Sequence, residues 1–302
     1  MIKDFTAATV PDQSGRTILV TGANTGLGFE ASKVLAAKGA RVLLGCRSED
    51  RAKAAMDNIQ SETPDADMAF VPLDQSDLKS VRAAAKIVGK EKRLDVLVNN
   101  AGIMMPPYEL TSDGFESQFG VNHLGTFALT SLLLPKLEQA KKSRIVITSS
   151  LAHRSGRINF EDINAEQRYS AMERYAMSKL ANILHAGELD RRLRANGSST
   201  IALCCHPGVA DTELARHLPG FAQAILPLAR LFLSTPAEGA WATLAAATGK
   251  GVKGGEYFGP SRFGGWTGPV TEVSRSLRAR DEGLAQKLWE TSIEMTGVDP
   301  QI

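Results

Sequence analysis

Six short runs of aliphatic and β-branched residues recur along this chain, each separated from the next by a longer helical pattern. They are RTILVTG (16–22), ARVLLGC (40–46), DMAFVPL (67–73), LDVLVNN (94–100), SRIVITS (143–149) and STIALCC (199–205). Each is apolar on both faces, as a central parallel strand must be when helices cover both sides of its sheet. Helical patterns over 26–38, 49–62, 76–90, 113–139 and 173–195 lie between them. Alternation of this kind builds right-handed βαβ units and hence one doubly wound α/β sheet. The segment GGEYFG (254–259) is a weaker strand, because its glycines leave little to pair. With it the sheet is expected to have about seven strands, in a single domain over 1–302.

Composition agrees with that class. The 302 residues are 43% hydrophobic and 23% charged, enough for a sizeable core. A formal charge of +2, with both signs mixed along the chain, excludes a nucleic-acid footprint. Cys46, Cys204 and Cys205 form no metal-ligand or disulfide pattern, so reduced thiols, a cytoplasmic location and no bound metal are expected. The opening MIKDFTAATVPDQSG has charges and a proline where a signal peptide needs an apolar core. No stretch reaches the roughly 18 uninterrupted apolar residues that span a bilayer.

In open parallel sheets, ligands bind beyond the carboxyl ends of the strands. Those ends carry Gly22, Arg47, Asp74, Asn100, Ser150 and Pro207. After the first run, Gly22-Ala-Asn24-Thr25-Gly26-Leu27-Gly28 turns into a helix. Glycines let backbone approach a pyrophosphate, and the helix N-terminus offers free N–H groups, so this Rossmann-type turn is a candidate dinucleotide site. An NAD site usually places an acidic residue at the end of the second strand. Here Cys46 occupies it, followed by Arg47 and Ser48, a pair suited to a ribose 2′-phosphate. NADP(H) is therefore the expected cofactor. Asp74, with Gln75 beside it, either accepts from an adenine amino group or caps the next helix.

Tyr175 and Lys179 stand one helical turn apart in RYAMSK. Side chains at i and i+4 share a helix face, and an ammonium near a phenol favours the phenolate. Such a pair is suited to moving a proton on or off an alcohol oxygen.

With these pieces together, the chain resembles the short-chain dehydrogenase/reductase family over nearly its whole length. TGANTGLG, NNAG (Asn99 to Gly102), Asn122, Ser150, YAMSK and HPG (His206 to Gly208) occur in the family's order. The resemblance implies that Tyr175 gives a proton to a carbonyl oxygen or takes one back. Lys179 would assist Tyr175 and hold the nicotinamide ribose, Ser150 would orient the substrate oxygen, and Asn122 would keep a relay water beside Lys179. Asn100, Ala101 and Gly102 would flank the adenosine ribose, and Pro207, Gly208 and Thr212 would hold the carboxamide. Ser150 is the better match than Ser149, which is taken as the strand end.

Two departures stand out. Ser150 and Tyr175 are 25 residues apart, a longer separation than the family commonly has, and the extra segment 153–172 is expected beside the active site. Together with SSLAH, NHLG and GCR, it resembles the retinol dehydrogenase-like branch and its bacterial relatives. His153 replaces a common glycine and would either touch substrate or be a surface or helix-contact histidine. The segment 211–234, with Phe221, Ile225, Leu226, Leu231 and Phe232, reads first as a substrate lid, then as core packing, and least as a membrane contact. Its apolar residues suggest a hydrophobic or aromatic small-molecule substrate. The family implies pairing as a homodimer or homotetramer through helices 113–139 and 173–195. The expected activity is carbonyl reduction with NADPH, or the reverse. A non-catalytic NADP(H) sensor and reduction of a ring double bond are the competing readings.

Overall fold

The computed structural model describes residues 2–209 and 234–302. One eight-stranded sheet organises them, in the order β3-β2-β1-β4-β5-β6-β7-β8. The six runs become β1 (Thr17–Thr21), β2 (Arg41–Cys46), β3 (Met68–Pro72), β4 (Val96–Asn99), β5 (Arg144–Thr148) and β6 (Ile201–Cys205). All pair in parallel with their neighbours, and β6 continues in parallel to β7 (Tyr257–Arg262). The seventh strand thus lies a few residues beyond its expected place at 254–259. An eighth, β8 (Thr267–Glu272), pairs antiparallel with β7 and was not foreseen. Its sequence TGPVTE carries a glycine and a proline, which its place at the sheet edge tolerates. Phe5 pairs with Val270 and partly covers that edge.

Successive residues of the strands feed two apolar layers, the period-2 consequence of a pleated backbone. Leu19, Leu43, Leu97 and Ile145 pack on one side against α3 (Leu78–Val88), α5 (Gly125–Glu138), α6 (Ala171–Ala195) and α8 (Glu282–Thr296). Ile18, Val20, Val42, Leu44 and Val98 pack on the other side, beneath α1 (Gly26–Ala37), α2 (Glu49–Glu62) and α7 (Pro236–Thr248). Each fully buried aliphatic side chain stabilises the fold by about 1.5–3 kcal/mol relative to exposure.

Helices α7 and α8 also lie outside the expected set. The α7 sequence PAEGAWATLAAAT is apolar nearly all round, so it has no amphipathic period. Its start was nonetheless written locally. Thr235 and Glu238 form a reciprocal capping box, with Pro236 in the first turn. Asp281 caps α8, and Gly297 ends it in the left-handed region at φ +60°. The expected helix 113–139 is interrupted: a short turn, α4 (Ser117–Phe119), runs through a π-helical turn at Gly120–Leu124 before α5 begins. The site residues stand at this interruption and at the adjacent carboxyl ends of β1, β4, β5 and β6.

Candidate active site

Helix α6 carries Tyr175 half-buried and Lys179 buried, with the Lys179 ammonium 5.7 Å from the centroid of the Tyr175 ring. Lys179 Nζ donates to Thr148 O at the end of β5 (3.4 Å). Burial pushes the ammonium down to about 8, so the lysine is still mostly charged at neutral pH. Gly102 makes room for it. A Cβ there would lie 3.3 Å from Lys179 Nζ and 3.0 Å from Asn122 Oδ1. Asn122 sits within the π turn, a feature that often marks functional sites. Its side chain accepts from Ile103 N (2.8 Å) and donates to Ile103 O and Ser178 Oγ (both 2.9 Å). Ser178 in turn donates to Tyr175 O (2.8 Å). Asn122 is therefore a structural tie from the β4 loop to α6.

The two serines after β5 separate cleanly. Ser149 is buried and donates to Lys179 O (2.7 Å), so its hydroxyl is committed to α6. Ser150 is half-buried, and its Oγ accepts from Ala152 N (3.2 Å). The strand itself ends at Thr148, one residue earlier than expected.

At the other end of the crevice, Gly22 and Gly26 take φ of +65° and +56°, the left-handed conformation glycine adopts without strain. Gly28 admits no side chain, because a Cβ would sit 2.3 Å from Gly22 O and 2.5 Å from Asn100 Nδ2. Asn100 Nδ2 donates to Thr21 O, while Asn100 N and Ala101 N donate to Thr21 Oγ1, so the NNAG loop is fastened to the end of β1. Thr25, at the N-cap of α1, makes no side-chain capping bond, and the first turn holds no acidic residue. These amides and the unopposed positive end of the helix dipole fit a pyrophosphate. Asn24 and Leu27 belong to the same turn.

Arg47 is exposed at the end of β2 and makes no ion pair with any described residue. Ser48 caps α2, accepting from Arg51 N (3.3 Å). Asp74 does not cap α3, a role that belongs to Asp77. Instead Asp74 Oδ1 closes a turn by accepting from Ser76 N and Ser76 Oγ. Gln75 turns its side chain inward, donating to Val121 O and Thr126 Oγ1. Pro207 and Gly208 follow β6, and Gly208 N donates to His206 Nδ1 (3.2 Å). Thr212 and the expected lid at 211–234, apart from Ser234, lie outside the described residues. Among the described residues no group of three His, Cys, Asp or Glu side chains converges as a metal site. No helix among them is long and apolar enough to cross a membrane.

A sequence profile described as short chain dehydrogenase matches residues 16–220, more than half of the chain. The chain is a short-chain dehydrogenase. Retinol dehydrogenase 11 of Homo sapiens is 44% identical to it over 287 residues, covering 94% of this chain and 86% of that protein. Retinol dehydrogenase 13 of Homo sapiens is 42% identical over 301 residues, covering 97% and 87%. The dehydrogenase therefore belongs to the retinol dehydrogenase-like branch. The crystal structure of an uncharacterised protein from Mycobacterium paratuberculosis superposes with a TM-score of 0.83 at 41% identity, covering 99% of this chain and 100% of that one. A short-chain dehydrogenase of Burkholderia cenocepacia, in complex with NADP, superposes at 0.62 with 26% identity, covering 82% and 96%. An oxidoreductase of alcohols and carbonyls that binds a nicotinamide cofactor follows from this membership.

The long Ser150–Tyr175 segment of the dehydrogenase packs against residues 103–118. Tyr169 OH donates to Pro106 O (2.6 Å), and its ring lies 5.3 Å from that of Tyr108. Gln118 Nε2 reaches Ala171 O (2.9 Å). Arg174, immediately before Tyr175, anchors the segment through a buried ion pair with Asp162 (3.0 Å) and a bond to Asp162 O (2.7 Å). Removing one partner of such a buried pair is strongly destabilising. Arg174, Ser178, Thr21 and His206 support the site without having been singled out from sequence. They lie inside the quoted motifs RYAMSK, TGANTGLG and HPG, but nothing in those motifs assigned them an individual role.

Proposed function

We propose that this dehydrogenase is an NADP(H)-dependent carbonyl reductase, reversible as an alcohol dehydrogenase, acting on a hydrophobic or aromatic small molecule in the cytoplasm. The observation that carries this reading is the Tyr175–Lys179 face of α6, with the ammonium 5.7 Å from the Tyr175 ring and close against the Gly102 backbone. When bound, a reduced nicotinamide supplies hydride to the carbonyl carbon. Tyr175 gives its phenolic proton to the developing alkoxide. Ser150 donates a hydrogen bond to the same oxygen and fixes its direction. The Lys179 ammonium stabilises the resulting phenolate, and in alcohol oxidation these proton movements reverse. Asn122 secures the β4 loop against α6, so that the relay water expected near Lys179 has fixed walls.

Arg47 supports NADP(H), as an exposed guanidinium one residue past Cys46, which holds the position where an NAD site carries a carboxylate. The relative from Burkholderia cenocepacia with bound NADP is in keeping with that choice. The relatives named retinol dehydrogenase point to apolar alcohols and aldehydes. No member of the Ser-Tyr-Lys-Asn set is missing, which disfavours the non-catalytic sensor.

The test is an assay of NADPH oxidation against aldehydes, ketones and quinones of graded size, repeated with NADH and with Tyr175→Phe. Turnover is expected on apolar carbonyls. Tyr175→Phe is expected to lose about 10²–10⁴-fold in kcat while NADPH fluorescence still reports binding. Near-wild-type turnover by the Phe variant would overturn the mechanism.

A further inference from the structure

His153 is fully buried, so it touches neither solvent nor a substrate in the crevice. It lies in the 3₁₀ turn Leu151–Arg154 that follows Ser150, and its ring folds back on that serine. The distance from His153 Nδ1 to Ser150 O is 2.7 Å. A carbonyl oxygen only accepts, so Nδ1 carries the proton and donates. The His153 backbone N–H donates to the same oxygen (3.1 Å). Ser150 is thus held at its carbonyl by two donors of one residue, while its Oγ accepts from Ala152 N.

The rest of the ring is poorly served. His153 Nε2 is buried with no hydrogen-bond partner among the described residues. An orphaned buried acceptor of this kind costs about 1–3 kcal/mol. A leucine would fill the same space without that cost, so packing alone does not explain a histidine here. Local violations of this kind concentrate where geometry serves a site.

The surroundings hold the ring in one orientation. It forms a T-shaped pair with the buried Tyr257 ring, at a centroid distance of 5.6 Å and an interplanar angle of 88°. His206 packs on the same tyrosine at 5.2 Å and accepts from Gly208 N through its own Nδ1. Gly259 makes this possible, because a Cβ there would lie 1.9 Å from His206 Nε2. Three buried rings therefore connect the Ser150 turn to the Pro207–Gly208 segment.

We infer that His153 is a positioning residue for Ser150: its Nδ1–H, held by the Tyr257 ring that it shares with His206, sets the direction in which the serine hydroxyl meets the substrate oxygen. The inference rests on the reading of Ser150 as the serine that orients that oxygen. Small displacements of an orienting group lower turnover with little effect on cofactor binding, because alignment is needed chiefly in the transition state.

Asn and Gln variants of His153 separate this role from packing. Asparagine places an amide N–H where Nδ1 stands, whereas glutamine places it nearer Nε2. His153→Gln is expected to lower kcat for an apolar aldehyde at least about tenfold, with the KM for NADPH and the NADPH fluorescence titration little changed. His153→Asn is expected to recover most of that loss. Ser150→Ala, measured alongside, tests the underlying reading and is expected to lose activity. If Ser150→Ala loses activity while the Asn and Gln variants share one kcat, the positioning role is wrong and the reading of Ser150 stands. If Ser150→Ala keeps wild-type turnover, the reading of Ser150 falls and the inference falls with it.

Discussion

The Lys179 ammonium lies 5.7 Å from the centre of the Tyr175 ring, yet its hydrogen bond is to Thr148 O, at the end of a different element. The lysine is thus fixed by the sheet while it faces the phenol. That placement is costly before any ligand binds, because the charge is buried with no carboxylate partner among the described residues.

Burial holds Lys179 at about 8, below its ordinary 10.5. The unfolded chain therefore binds more protons than the folded one between these values, and stability rises with pH across that window. Below about pH 8 the full penalty is present, up to about 3 kcal/mol at 1.36 kcal/mol per pKa unit. Lys179→Met is expected to abolish turnover and to stabilise the cofactor-free protein at pH 7. Its advantage should shrink toward pH 10.5. Urea unfolding of both proteins at pH 7 and 9.5 checks this, and a Met variant less stable at pH 7 would contradict it.

Arg47 stands exposed and unpaired with any described carboxylate at the end of β2. Charge-assisted bonds to a phosphate contribute about 1.5–3 kcal/mol, so Arg47→Ala is expected to raise the KM for NADPH roughly 10–100-fold. The KM for NADH should barely move. A wild-type preference for NADH of about tenfold or more would refute the assignment of the 2′-phosphate to this arginine.

His123 and His185 are buried together beneath α8, and neither ring nitrogen of His185 has a partner. Burial pushes His123 down to about 3 and His185 well below its ordinary 6.5. Both stay neutral in the folded state while the unfolded chain takes up protons below about pH 6.5, so stability is lost as pH falls. For His185 alone the ceiling on the loss by pH 5 is about 2 kcal/mol, set by the distance from 6.5 to 5. His185→Leu is expected to gain up to about that much more at pH 5 than at pH 8. Equal effects at the two pH values in thermal or urea unfolding would show that the histidine is not neutral there.

Helix α8 packs on α6 and, through Trp289, touches Phe127 of α5, the two helices through which the family resemblance implied pairing. Trp289 meets Phe127 at 5.2 Å, Arg192 stacks over Trp289 at 4.7 Å, and Ser292 bonds His123 Nε2 at 2.8 Å. A dimer that used the side of α6 under α8 would have to displace these buried contacts. The protein is expected to be a single chain in solution by light scattering at micromolar concentration. Cross-links between copies that join α5 to α6 would sink this expectation.

Much of the architecture and the chemistry was legible in the chain because it is local. Two-sided apolar runs announce strands β1 to β6, glycines announce the turn before α1, and the i, i+4 spacing places Tyr175 and Lys179 on one face. Capping signals at Thr235-Pro236-Ala-Glu238 and at Asp281 were also there to read, though the uniform apolarity of α7 gave no period to accompany them. What the tertiary structure decided depends on partners distant in sequence. Packing against the serine turn and Tyr257 buried His153 away from any substrate, and Val121 and Thr126 drew Gln75 inward. The π turn and Gly102 brought Asn122 against the β4 loop. The C-terminal helix packed on α6 and set Trp289 against Phe127 of α5. Periodicity tells a segment that one face will be buried; only the folded chain supplies the neighbour that buries it, and the neighbour determines what a polar side chain does.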